Sequence, residues 1–204
     1  MDRLLNGYRD FRRDAWPERR AAYERLAEQG QAPLALVIAC SDSRLDPGLI
    51  FSAPPGGLFV IRNVANLVPP YQPDAAYHGT SAALEFGVRV LEIPDLVVMG
   101  HAQCGGVHAL LHGTPERGSD FVGNWMNIAA RARARVSGLV ADDAATSLAC
   151  EHETVRVSLD NLRTYPWIAE RIAARSLRLH GTFYQISSGM LELLGPDGRF
   201  APVT

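Results

Sequence analysis

The sequence predicts an α/β fold: a parallel β-sheet core flanked by helices, with a helical arm at the amino terminus. Two observations carry this. The runs Leu34–Cys40, Phe59–Ile61 and Leu96–Met99 are strand-sized and apolar at successive positions, the pattern of strands covered on both faces. Between the last two, Ala82, Ala83, Phe86, Val90 and Leu91 recur at helical spacing within 80–91. Strand, crossover helix and buried strand together mean a parallel sheet.

Each element follows in order. Leu4, Leu5, Tyr8 and Phe11 share one helical face, and Ala22, Tyr23 and Leu26 share another after Pro17, so residues 1–30 read as helix in two pieces closed by Gly30 and Pro33. Pro54–Gly57 and Pro69–Pro73 are loops, because proline offers no ladder donor and glycine supplies unusual dihedrals. Gly105–Leu111 starts a helix directly after Cys104, and 120–136 and His152–Thr164 read as helical. Tyr165-Pro166-Trp167 marks a break before a helix at Ile168–Arg175. Leu177–Ile186 is the expected last strand, interrupted by Gly181, with Ser187-Ser188-Gly189 turning into a closing hairpin.

The chain's 204 residues suit one domain over 1–204, long enough to bury a core without disulfides. Twenty Lys and Arg against 22 Asp and Glu give a formal charge of -2, scattered rather than blocked, which argues against nucleic acid or a membrane surface as partner. No apolar run approaches the roughly 20 residues of a spanning helix, and the first residues lack the apolar stretch of an export signal. Three cysteines without scaffold spacing fit a reducing compartment, so a cytoplasmic location is expected.

The chemistry sits at two strand ends. Cys40-Ser41-Asp42-Ser43-Arg44 closes the first apolar run, and His101-Ala102-Gln103-Cys104 follows the third. Side chains at the carboxyl ends of parallel strands converge in one crevice, and adjacent strands are about 4.8 Å apart. Cys40, His101 and Cys104 therefore form a candidate zinc set. Three protein ligands leave a fourth position for water, the pattern of catalytic rather than structural zinc, and imply a hydrolase or hydratase. Alone, Cys40 reads as a buried thiol and His101 as a hydrogen-bonded strand-end histidine. Asp42, Arg44, Cys104 and the double glycine Gly105-Gly106 shift the weight to the metal.

Cys40–Arg44, Phe59–Asn66 and Gly100–Gly106 resemble the signature blocks of the β-class carbonic anhydrases. The resemblance runs from about residue 33 through Asn161–Pro166 to the carboxyl end. Val68–Tyr71 and Gly79–Ala83 are closer to the plant-like branch than to the bicarbonate-inhibited bacterial branch. It implies Zn2+ held by Cys40, His101 and Cys104, and reversible hydration of carbon dioxide to bicarbonate and a proton. Asp42, held ionised by Arg44, would orient the zinc-bound hydroxide. Two thiolates leave bound water less acidic than three imidazoles do, so activity should rise toward alkaline pH. Val64 would line the substrate pocket, and the backbone N–H at Gly105 would contact a substrate oxygen.

Further expectations follow from the resemblance. The arm, residues 1–32, would cross a neighbouring subunit in a homodimer or homotetramer. Pro54 is aligned with a substrate-binding glutamine of the plant-like members. Val37 and Ala39 replace the tryptophan and glycine of the bicarbonate-inhibited branch while Arg62 and Tyr184 match its other two pocket residues, so that pocket is expected to be absent. The alternative on the same zinc scaffold is hydrolysis of carbon disulfide or carbonyl sulfide. A zinc-stabilised interaction protein without turnover would lack the Asp42–Arg44 pair, and a thiol redox role lacks a Cys-x-x-Cys.

Other candidates are weaker. His108 and His112 share a helix face with Cys104 and read as surface histidines. Cys150 and His152 fall near the expected start of a helix, with Cys150 a free thiol. His78, in the loop before Gly79, is a candidate proton relay.

Overall fold

The computed structural model describes residues 1–118, 120–138 and 143–204. Six strands form one sheet in the order β2-β1-β3-β4-β5-β6, comprising β1 (Ala35–Cys40), β2 (Leu58–Asn63), β3 (Asp95–His101), β4 (Arg178–Gln185), β5 (Met190–Leu194) and β6 (Phe200–Pro202). The first four are parallel, and β5 and β6 extend the sheet antiparallel. Two antiparallel strands therefore follow the expected last strand, with β6 at the edge. Gly189, at φ 72°, closes the β4–β5 hairpin by donating to the Gln185 carbonyl at 2.8 Å.

Alternation along β1 feeds both layers of the core. Val37 and Ala39 pack with Leu67, Met99, Val107 and Leu110 on one face. Leu36 and Ile38 pack with Val88, Leu96, Val98 and Leu162 on the other. Both faces of β1 are fully buried, which explains its unbroken apolar run.

The helices are α1 (Asp2–Asp10), α2 (Trp16–Gln29), α3 (Pro47–Ile50), α4 (Gly79–Glu85), α5 (Gly105–His112), α6 (Val122–Met126), α7 (Ala130–Val136), α8 (Asp143–Leu162) and α9 (Pro166–Ala173). Pro17 does not split the arm. It sits in the first turn of α2, where a missing N–H is tolerated, and a π-helical turn over Phe11–Ala15 joins α1 to α2. The crossover helix likewise ends in a π turn, Phe86–Val90. The stretch 120–136 is not one helix but α6, a 3₁₀ turn over Asn127–Ala129, and α7.

Helix α8 begins nine residues before the expected start, so Cys150 and His152 lie inside it rather than at its start. It crosses β3 and β4 at two glycines. A Cβ on Gly100 would stand 2.6 Å from Val155, and one on Gly181 would stand 3.1 Å from Val155, Leu159 and Leu194. Gly181 therefore does not interrupt β4. It pairs with Val98 in register and lets the helix close on the sheet.

The arm buries none of its side chains in this chain. Leu4 and Tyr8 are exposed, while Trp16 contacts both Phe11 and Tyr23. No helix among the described residues is long and apolar enough to cross a membrane.

Candidate metal centre

Register sets the centre. Ala39 pairs with Met99, so Cys40 and His101 emerge at the carboxyl ends of neighbouring strands. The chain then turns through Gln103, at φ 58°, and Cys104 becomes the N-cap residue of α5. The candidate ligand atoms of Cys40, His101 and Cys104 all lie within 4.8 Å of one another, and no other such group occurs among the described residues. The two sulfurs are 4.0 Å apart. Sulfurs about 2.3 Å from a tetrahedral zinc would be roughly 3.8 Å apart, so the observed spacing fits.

The histidine fits independently. Its Nδ1 lies 2.9 Å from the Ala102 carbonyl, which can only accept, so Nδ1 carries the proton. The lone pair is then on Nε2, which is buried without a hydrogen-bond partner. An orphaned acceptor beside two sulfurs, at a residue 1% exposed, matches metal ligation with the other ring nitrogen anchored to a carbonyl.

The thiols titrate as a pair. Cys40 is held low first by its hydrogen bond with Cys104 and also by the N–H of Ala65, 3.4 Å from its sulfur. Cys104 is pushed up by its hydrogen bond with Cys40 and by burial. A divalent cation between them would displace that proton.

Asp42 stands beside the triad, outside the ligand group. Its Oδ1 accepts from the Arg44 backbone N–H and Nε, each at 2.9 Å, and its Oδ2 accepts from Nη2 at 2.7 Å. The Arg44 side chain thus holds the carboxyl well below the usual range, against the penalty of partial burial. Arg44 Nη2 also donates to the Gln103 carbonyl at 3.0 Å.

Val64 is 37% exposed and lines a cavity of about 680 Å³ with Asn63, Thr80, Phe121 and Trp125. Its carbonyl accepts from the Trp125 indole at 2.7 Å. Gly105, the first residue of α5, has open space where a Cβ would lie. A Cβ on Gly106 would instead stand 2.9 Å from both Val64 and Ala65, so the second glycine brings α5 against the Val64 turn. Pro54 is not brought to this centre. It lines a separate cavity with Leu34, Ala35 and Leu58, at the amino-terminal end of β1.

Arg62 is committed to the chain itself, donating to the carbonyls of Cys40, Asp42 and Leu45 at 3.1, 2.7 and 2.6 Å. His78 pairs with Asp74 at 2.7 Å on the rim of the Val64 cavity. The His108 and His112 ring centroids are 4.4 Å apart, with the rings tilted by 38°, and His112 lies 3.3 Å from Asp143. Cys150 is a free, fully buried thiol pushed up to about 11 by burial.

Sequence reasoning missed Glu151. It is 5% exposed, accepts from the Cys104 N–H at 2.9 Å, and is pushed up to about 7 by burial. The signal was a carboxylate on the buried stripe of α8, beside Thr154, Val155 and Ser158. It escaped because the helix was expected to start at His152. The left-handed residues Ala65 and Gln103 carried no signal, since neither is the glycine such dihedrals favour.

Comparison with known proteins agrees with this geometry. Residues 35–191 match the carbonic anhydrase family model. A carbonic anhydrase of Pseudomonas aeruginosa is 41% identical over 98% of this chain and 90% of its own length. Beta carbonic anhydrase 3 of Arabidopsis thaliana is 34% identical over 99% and 80%. Among solved structures, the β-carbonic anhydrase CcaA superposes with a TM-score of 0.93 at 34% identity, covering 100% of this chain and 99% of that one. A tetrameric β-carbonic anhydrase of Sordaria macrospora superposes at 0.84 with 28% identity, covering 100% and 98%. With the fold, the converging triad and the relatives in agreement, the chain belongs to the β class of the carbonic anhydrase family.

Proposed function

We propose that this protein catalyses the reversible hydration of carbon dioxide to bicarbonate and a proton, using Zn2+ held by Cys40, His101 and Cys104. The observation that carries the reading is the orphaned His101 Nε2 facing two buried sulfurs beside an arginine-gripped carboxylate. Zinc, when bound, supplies a Lewis acid that lowers the pKa of water toward about 7.

The chain's own residues do the rest. Asp42 stays ionised because Arg44 holds it. Its Oδ1 accepts two hydrogen bonds and Oδ2 one, so Oδ2 keeps a lone pair to accept the O–H of the attacking oxygen and fix its orientation. Val64 gives a linear, apolar substrate an apolar wall. The Gly105 N–H, at the start of α5, stabilises negative charge growing on a substrate oxygen.

The arm, residues 1–32, leaves Leu4, Leu5 and Tyr8 exposed, and the Sordaria relative is tetrameric. These support a homodimer or homotetramer in which the arm lies on a partner. Composition supports one domain over 1–204 and a cytoplasmic location. The relatives' activity favours carbon dioxide over the sulfur substrates. Parallel assays of zinc-loaded protein with carbon dioxide, carbonyl sulfide and carbon disulfide test this: turnover of the first is expected, and turnover confined to a sulfur substrate would overturn it.

A further inference from the structure

One peptide plane joins the metal-binding loop to the Asp42–Arg44 pair. The N–H of the Gln103–Cys104 peptide donates to Glu151 Oε1 at 2.9 Å, and the carbonyl of that same peptide accepts from Arg44 Nη2 at 3.0 Å. The Gln103 N–H also faces the Glu151 carboxylate. With Gln103 at φ 58°, these successive N–H groups converge as in an anion nest. The acceptor is a carboxyl side chain nearly removed from solvent, on a helix 47 residues further along the chain.

We propose that Glu151 is a positioning residue that locks this peptide plane, fixing Cys104 as a ligand and aiming the Gln103 carbonyl that holds Arg44 on Asp42. The inference rests on the metal-centre reading above. A left-handed non-glycine residue persists only where its surroundings over-determine it, and here the carboxylate supplies that constraint. Glu151 touches neither substrate nor the reacting atoms. Its effect passes through one peptide to the ligand on one side and the orienting pair on the other.

The test compares wild type, Glu151→Gln and Glu151→Ala in zinc affinity by chelator competition, in the spectrum of the cobalt-substituted protein, and in kcat and KM with metal saturating. Glu151→Ala is expected to weaken metal binding about 10- to 100-fold, shift the thiolate-to-cobalt bands and lower kcat with little change in KM. Glu151→Gln, which keeps one carbonyl acceptor for the Cys104 N–H, is expected to fall between. If Glu151→Ala does not fold, Glu151→Gln decides by whether its affinity and cobalt bands move. Wild-type affinity and an unchanged cobalt spectrum in whichever variants fold would overturn the proposal. Failure of the wild type to bind a stoichiometric metal would instead overturn the metal-centre reading on which it rests.

Discussion

Arg44 grips Asp42 through three hydrogen bonds of 2.7 to 2.9 Å and spends the remaining reach of Nη2 on the Gln103 carbonyl. The guanidinium is 45% exposed and the carboxylate 16%, so the pair is not a buried structural ion pair. Its consequence is orientation: a bidentate fork fixes the plane of the carboxylate.

Asp42→Asn should keep the metal and lose about 100-fold or more in kcat, the scale of a positioned proton acceptor. Asparagine presents an N–H₂ group to a guanidinium, so the fork cannot form as before. Metal content by mass spectrometry of the native protein together with stopped-flow kinetics checks both halves; wild-type kcat in the zinc-loaded variant would remove Asp42 from the mechanism.

Cys40→Ala and Cys104→Ala should each abolish stoichiometric zinc. Either change leaves two ligands, and the buried His101 Nε2 remains without a partner. The measurement is zinc per chain after dialysis against a weak chelator. Full occupancy in both variants would refute the ligand assignment.

Gly106→Ala and Gly105→Ala should differ sharply in stability. An added methyl at Gly106 meets Val64 and Ala65 at 2.9 Å, whereas Gly105 has nothing within 4 Å. Overpacking of this kind costs about 1–3 kcal/mol, or several degrees in Tm for a chain of this size. Thermal unfolding of the metal-free proteins should show a drop for Gly106→Ala and almost none for Gly105→Ala.

His152 should make the fold acid-sensitive. It lies between Phe183 and Phe200, each ring centroid 4.3 Å away, and burial lowers its pKa from 6.5, with Glu192 opposing the shift and Arg156 adding to it. A base depressed in the folded state binds fewer protons there than when unfolded, so stability rises with pH across the interval between the two pKa values. Stability should therefore fall as the pH drops below about 6.5, and His152→Leu should flatten this part of the urea-unfolding profile. An unchanged profile would assign the acid sensitivity elsewhere.

Bicarbonate should not inhibit cooperatively. Arg62 turns Nε and Nη2 to three backbone carbonyls of its own chain, and Val37 is fully buried in the apolar core where the inhibited branch carries tryptophan. Initial rates against bicarbonate concentration should stay hyperbolic; a sigmoidal response would show a second anion site.

The legible parts of this chain were those where a single local property decides. The runs of β1 and β3 are apolar at nearly every position because both faces of each strand are covered, and the metal set stood out because Cys40 and His101 end those runs. What stayed hidden depends on tertiary contact. Gly181 looks like a break in a strand until α8 is seen lying across it, and Arg62 matches an anion-pocket residue in sequence until it is seen donating to three backbone carbonyls. Glu151 is ordinary in sequence and becomes specific only when α8 brings it to the Cys104 N–H. Pro17 looks like a break between two helices, yet it sits in the first turn of α2, and a π turn carries the arm through.

Stopped-flow hydration of carbon dioxide by zinc-loaded protein at pH 7 and pH 9, with a chelated control, tests the central claim most directly. Asp42 is ionised at both values, so the account predicts metal-dependent turnover that is larger at pH 9 and lost on chelation. No turnover at either pH, with one zinc verified per chain, would contradict it.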